Sequence, residues 1–544
     1  MLQSRLALLG CALLLADGLA AQPTDPVQAL IAAATPVPIA DGAAVIGAGN
    51  TRRDPDTGMI DVLLLPDPAL PERQIVDPDA TDAVAGILRR LDAGGTAAGL
   101  AGVLYDNRDS GHSVLSRTRF PQLAFTTYEA ALQQQGLHHG VAGRMRFSLP
   151  VVGNSSTALT KGPTARSLGR LAVVDQAAAL RSYRLFVSNH LYVYPEHRDY
   201  DPETGDRLLA NLPYFLLSQG SSRTDRPFVT TALAIIAALT PETRAAAEAS
   251  GRLPATVQAV MRRTMAGVNS DRQYLSPVAH PPVFAGAHLR PAMAVRFANA
   301  LTPDTLPPLV TLAIEQDFDA RPGLDYLARN LGEILFTTPM AVARAWRSFA
   351  HDRTITLRAH IPPLPDGTPA PRFHWILLQG DPERVNIRPR AGAGDVVDVD
   401  IAWHDRFPVA PGRTMLTPRV DIAVIADAGG AMSAPAVFSV LFPAHQERRY
   451  AADPDGRPLL RSLTYRHPSA PADYADPVVW PSAPWRDDLV HDSEGHLTAI
   501  ERTDADDARS VLRRTPDGWE QGGRTVRHMA RSGRDGVLGF VTTP

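Results

Sequence analysis

The stretches Thr354-Ile-Thr-Leu-Arg-Ala-His-Ile361, Phe373-His-Trp-Ile-Leu-Leu378, Val385-Asn-Ile387, Val396-Val-Asp-Val-Asp-Ile401, Arg419-Val-Asp-Ile-Ala-Val-Ile425 and Ala436-Val-Phe-Ser-Val-Leu441 decide the class of the C-terminal half. Each is short, and Pro, Gly or Asp residues separate one from the next. Where polar residues enter, as at Asp398 and Asp400, they alternate with apolar ones, the period of a strand with one solvated face. Several such strands in succession predict an antiparallel β-sandwich over 351–445. The same alternation assigns Asp398 and Asp400 to solvent, and Trp403-His404 to packing.

Outward from this region the patterns change on both sides. Upstream, 226–350 carries helix signals: Thr240-Pro-Glu-Thr243 and Leu253-Pro-Ala-Thr256 place proline in a first helical turn, and Thr338-Pro339 precedes Met340, Ala343 and Trp346 at helical spacing. These predict a mainly helical subdomain, with Leu309–Ile314 as a possible strand inside it. Residues 22–225 read as a mixed α/β domain: an entry segment to about 60, a strand at Ile60–Leu65, a helix within Asp79–Ala93, and strands at Ala101–Tyr105, from Phe125 and at Met145–Val152. Downstream, 446–544 holds the turns Asp453-Pro-Asp-Gly456, His491-Asp-Ser-Glu-Gly495 and Thr515-Pro-Asp-Gly518, which predict a small β-hairpin appendage.

Residues 354–442 resemble the PKD and other immunoglobulin-like modules of secreted bacterial proteins, with Trp375 on an early strand and Gln379-Gly-Asp381 behind it. The resemblance implies a two-sheet sandwich. Leu489–Thr498 is faintly similar to a single YD-type strand-turn-strand repeat. The expected architecture is thus multidomain: an α/β N-terminal domain with a helical subdomain, a β-sandwich and a β-hairpin tail.

Composition bounds the partners. The chain has 544 residues, 48 prolines, net charge −3 and one cysteine, Cys11. The charge balance gives no basic footprint, so nucleic acid is not an expected partner. Met1–Arg5, the apolar run Leu6–Leu15 and the small residues Gly18 and Ala20 read as a signal peptide over 1–21, which predicts a periplasmic or extracellular protein. Leu8-Leu9-Gly10-Cys11 leaves a lipoprotein anchor through Cys11 as an alternative. No later stretch approaches a transmembrane span. Proline exceeds the usual ~5% and falls in helix first turns and D-P-x-x-G turns.

Four polar clusters carry candidate chemistry. Tyr105-Asp-Asn-Arg-Asp-Ser-Gly-His112 follows a strand, and there Asp106, Asp109 and His112 can bind a metal or act as acid and base. The densest cluster, Asn189–Asp206, contains Glu196, His197, Asp199 and Asp201, N and O donors suited to a divalent cation such as Ca2+ or Zn2+. Glu196, His197, Asp199 and His112 are candidate catalytic residues; Asp106, Asp109 and Asp201 are candidate metal ligands. The bland readings are an Asx-rich turn for the first loop and, for the second, a solvated acidic loop ending in the turn Asp201-Pro-Glu-Thr-Gly205. Val151–Thr157 and Leu216–Asp225 each place small polar residues after a strand, yet neither completes G-x-S-x-G. Ser222, Thr224 and Asp225 are expected to cap the helix near Pro227. No nucleotide-binding fingerprint occurs. Two functions follow: a hydrolase acting on an extracellular or cell-wall polymer, or a non-catalytic envelope or surface protein whose sandwich mediates adhesion.

Overall fold

A computed structural model describes residues 35–109, 111–140, 144–156, 173, 175–196, 209–364, 367–390, 392, 394–409, 416–444, 446–465, 485–532 and 538–544. The predicted signal segment, and with it Cys11, lies outside these residues, as do His197, Asp199 and Asp201.

The N-terminal part is built on a six-stranded sheet. Its strands are β1 (Ala43–Ile46), β2 (Leu104–Asn107), β3 (Ala124–Tyr128), β4 (Val151–Asn154), β5 (His190–Glu196) and β6 (Leu216–Gln219). Their order across the sheet is β1-β3-β2-β4-β5-β6, and every neighbouring pair is parallel. A parallel sheet needs both faces covered, and all seven residues of β5 are buried. Leu191 and Val193 pack with helices α1 (Ala83–Ala93), α3 (Arg226–Ala238), α4 (Leu253–Thr264) and α5 (Pro291–Asn299), whereas Tyr192 and Tyr194 join α2 (Gln176–Val187) on the other face. The helices expected as a separate subdomain are therefore one layer of this α/β unit. Within the entry segment, Ala43–Ile46 supply β1, the outer strand.

The predicted helix at Thr338-Pro339 is instead a strand pair. β8 (Ile334–Thr338) turns directly into β9 (Ala341–Ala345), with the Thr338 hydroxyl donating to the Ala341 carbonyl. All five residues of β9 are buried. A strand covered on both faces has no polar alternation to display, so its apolar spacing imitated a helix. The sandwich thus begins at β7 (Thr311–Gln316), well before 351. Its remaining strands are β10 (Asp352–His360), β11 (Arg372–Gln379), β12 (Val385–Pro389), β13 (Val396–Ala402), β14 (Arg419–Ala428) and β15 (Ala436–Leu441). One sheet runs β7-β10-β13-β12 and the other β8-β9-β15-β14-β11, antiparallel except where β9 meets β15. Trp346 and Trp403 are fully buried in its core, while Trp375 is only half-buried. Asp398 and Asp400 pair with Arg390 and Arg388 on the outer face, as their alternation predicts.

The tail is larger than a hairpin. Strands β16 (Glu447–Ala452), β17 (Pro458–Thr464), β18 (Arg486–His491), β19 (Leu497–Thr503), β20 (Arg509–Thr515), β21 (Gly518–Gln521), β22 (Arg524–Ser532) and β23 (Leu538–Thr543) form an eight-stranded sheet in strict chain order. One face buries Leu463, Ile500, Leu512 and Trp519 against Tyr326 and Leu327. Among the described residues no helix is long and apolar enough to cross a membrane.

His190, at the start of β5, ties the sheet to the strand Met145–Phe147 beside it. Its Nε2 accepts the Phe147 N–H at 2.8 Å and its Nδ1–H donates to the Ser188 carbonyl at 2.6 Å, so the ring is held neutral. Burial pushes its pKa down to about 4. An unfolded histidine binds its proton near pH 6.5. Stability from His190 is therefore present above that pH and is lost as pH falls toward 4, by about 3 kcal/mol. Buried His280 and His528, both pushed down to about 3, act in the same direction. We expect urea midpoints to fall steeply from pH 6.5 to 4, and His190→Gln to flatten that fall by about one proton's worth of slope. An unchanged slope in the variant would exclude His190 as a contributor.

Candidate functional site

In the parallel sheet, the chain leaves β2 in one direction, to β3, and leaves β4 in the other, to β5. β2 and β4 are neighbours, so their C-terminal ends flank a crevice where the winding reverses, the usual ligand position in open α/β sheets. The first and third polar clusters follow these two strands.

The floor of this crevice is a closed hydrogen-bond network centred on Asp106. Its Oδ1 accepts the Thr126 and Tyr128 hydroxyls, both at 2.7 Å. Its Oδ2 accepts the Tyr192 hydroxyl at 2.7 Å and Arg108 Nη1 at 3.4 Å. Arg108 also donates to the Gly140 carbonyl at 2.9 Å and to the Leu137 carbonyl, and its guanidinium lies over the Tyr128 ring. Asp106, Gly153 and Tyr192 face one another across β2, β4 and β5. The Tyr192 side chain crosses above Gly153 to reach Asp106, and only a residue without a Cβ leaves it room.

This geometry corrects the assignment of Asp106 as a metal ligand. Four donors already occupy its two oxygens, and a buried carboxylate so bonded is an anchor for the loop that follows. Among the described residues no group of three or more His, Cys, Asp or Glu is placed to hold a metal ion.

Above the floor lies a second group, with open atoms. Asp225 heads α3 but does not cap it, contrary to the capping role expected of it. Its buried carboxylate instead accepts the Ser113 hydroxyl from the loop after β2. Ser113 sits in the left-handed region at φ +51°, a conformation a non-glycine residue holds only when its surroundings enforce it. Two bonds do so: the one to Asp225, and the Tyr105 hydroxyl, which lies 2.7 Å from the Ser113 carbonyl and 2.8 Å from Asn154 Oδ1. Burial raises the pKa of Asp225; the Ser113 bond opposes that rise, the negative charge of Asp109 adds to it, and the nearby Asn154 amide also opposes it. Asp225 Oδ2, Asp109 Oδ2 and Asn154 Nδ2 are all buried without a well-formed hydrogen bond: the Asn154 amide faces Asp225, and Asp109 Oδ2 has only the His112 ring, at 3.3 Å. Such under-bonded buried groups are costly, and they converge where β2, β4 and α3 meet.

The sequence candidates distribute as follows. Asp109 and His112 are brought together, His112 Nδ1 lying 3.3 Å from Asp109 Oδ2 with its ring 47% exposed at the rim. Glu196 is buried at the C-terminal end of β5, on the same sheet edge. Asp225, Ser113 and Asn154 were not candidates. The signal for two of them was the small polar turn after β4 and β6, read as a failed G-x-S-x-G rather than as a source of carboxylate and amide.

No protein-family model matches the chain, and no curated protein matches it. Among solved structures, a nucleoside hydrolase-related hypothetical protein from Saccharophagus degradans, associated with carbohydrate metabolism, is 12% identical at a TM-score of 0.19, covering 54% of this chain and 71% of that one. The N-terminal Ig1-2 module of the Drosophila receptor protein tyrosine phosphatase DLAR is 11% identical at a TM-score of 0.12, covering 40% of this chain and 94% of that one.

Proposed function

We propose that the chain is a hydrolase of an extracellular or cell-wall polymer whose acid and base are Asp225 and Asp109. The observation that carries this reading is the pair of buried carboxylates at the strand reversal, with Asp225 pushed toward its protonated form by burial and by the charge of Asp109. A buried carboxyl pushed toward its protonated form beside a second carboxyl group is a pattern of acid and base catalysis of bond hydrolysis. Asp109 takes a proton from the attacking water, the hydroxide adds to the substrate's electrophilic carbon, and Asp225 gives its proton to the leaving oxygen as that bond breaks. His112, on the solvent side of Asp109, passes the collected proton outward. The Asp106 network holds the β2 loop so that Asp109 keeps its place.

The reading of 1–21 as an export signal supports a substrate outside the cytoplasm. The sandwich, in turn, fits an immunoglobulin-like module. In strand letters its sheets run A-B-E-D and A′-G-F-C, with the parallel A′–G contact at β9 and β15, close to the constant-type arrangement. The test is release of new reducing ends from soluble peptidoglycan fragments and a panel of polysaccharides by the purified mature chain. Release that disappears in Asp225→Asn supports the proposal. Absence of release from every polymer, or release unchanged in the variant, overturns it.

A further inference from the structure

A second concavity lies on the β1 and β3 side of the same sheet edge, outside the carboxylate site. Four arginines line it: Arg52 and Arg53 from the strand after β1, Arg144, and Arg181 from α2. Its volume is about 590 Å3, and Ile60 and Leu137 provide apolar wall.

The charge is lopsided. Among the described residues the lining contains one carboxylate, Asp175, whose Oδ1 accepts the Ala178 N–H at 2.8 Å as the N-cap of α2 and whose charge also acts on Arg181. Asp61, the acid nearest Arg52, is 3.6 Å from it but only 2.7 Å from Arg146, which claims it. Burial holds the Arg181 guanidinium below its usual range, with the charge of Asp175 opposing that shift and those of Arg144 and Arg184 adding to it. A chain with net charge −3 has therefore concentrated like charges around one hollow. Like charges gathered in a partly desolvated cavity raise its affinity for anions, and guanidinium forks match the oxygens of phosphate and sulfate in pairs.

We propose that this cavity binds a ligand bearing phosphate or sulfate groups on a body of roughly disaccharide size, the size that such a volume accommodates. The arginines hold the oxyanions and the apolar wall carries the body. This inference is independent of the hydrolase proposal, because it is read by binding alone.

The test is calorimetric titration of the full chain with inorganic pyrophosphate, with a trisulfated disaccharide and with uncharged cellobiose. The expected result is binding of at least one anionic probe, weakening as salt rises, and no binding of cellobiose. Arg53 is exposed, so Arg53→Glu leaves the fold intact, and it should weaken the anion by about tenfold or more, the loss of one charge-assisted contact. Preference for pyrophosphate assigns a phosphorylated ligand, and preference for the disaccharide assigns a sulfated glycan. Binding of neither anion, equal binding of cellobiose, or unchanged affinity in Arg53→Glu overturns the proposal.

Discussion

Asp225→Asn is expected to lower polymer hydrolysis by about 10²–10⁴-fold, the usual range for loss of one general acid. Asparagine keeps the shape and can still accept the Ser113 hydroxyl, so the bond that holds the β2 loop survives while the transferable proton does not. Stability should move in the opposite direction. A carboxyl whose folded pKa is raised contributes stability that is fully present below its ordinary pKa, near pH 4, and is lost as pH rises through the folded value. Above pH 4 the carboxyl is thus a net cost to the fold, and the asparagine variant should unfold at higher urea, a gain that closes as pH falls toward 4. Faster loss of structure together with unchanged hydrolysis would show that Asp225 is only a structural residue.

Gly153→Ala is expected to destabilise the protein by about 3 kcal/mol or more, the upper range for overpacking a filled core. A Cβ at this position would stand 2.5 Å from the Asp106 carbonyl and would also meet the Tyr192 ring. The carbonyl belongs to β2 and cannot move without breaking the ladder, and the ring cannot move without releasing Asp106. Activity should fall with stability, because the loop carrying Asp109 starts from this floor. Gly49, with open space around it, is the control: Gly49→Ala should change the urea midpoint by little. Equal midpoints for the two variants would refute the role given to Gly153.

The two halves of the chain differed in how far they could be read. Strands with one wet face, such as β10 and β13, announce themselves by alternation, and so does the solvent-facing side of Asp398 and Asp400. β9 does not, because both of its faces are dry. The tail hid its size for another reason: turns such as Asp453–Gly456 and Asp492–Gly495 are local, whereas membership in one sheet is set by pairing. At the site, Asp109 and His112 are neighbours in sequence and were found together. Asp225 lies 112 positions from Ser113 and joins the loop only through the strand order. Asp106 has the residue type of a ligand, but its partners Thr126, Tyr128 and Tyr192 come from two other strands, and no local pattern reveals that they fill it.

The seam between the parallel sheet and the sandwich is built like an interior. Tyr214, just ahead of β6, bonds Thr338 and the Met340 N–H, and the Asn211 N–H donates to Ser439 beside buried Asp421. Phe186 and Tyr214 share one apolar core with Phe336, Met340 and Val342. Separate modules joined by a tether would melt independently; an uninterrupted core makes these two lose structure together. Residues 35–444 should therefore behave as one cooperative block, and a calorimetric trace with two resolved steps inside that span would contradict it. It follows that cutting the chain near 350 would tear a core open rather than free a domain, so the sandwich cannot serve as a detachable spacer.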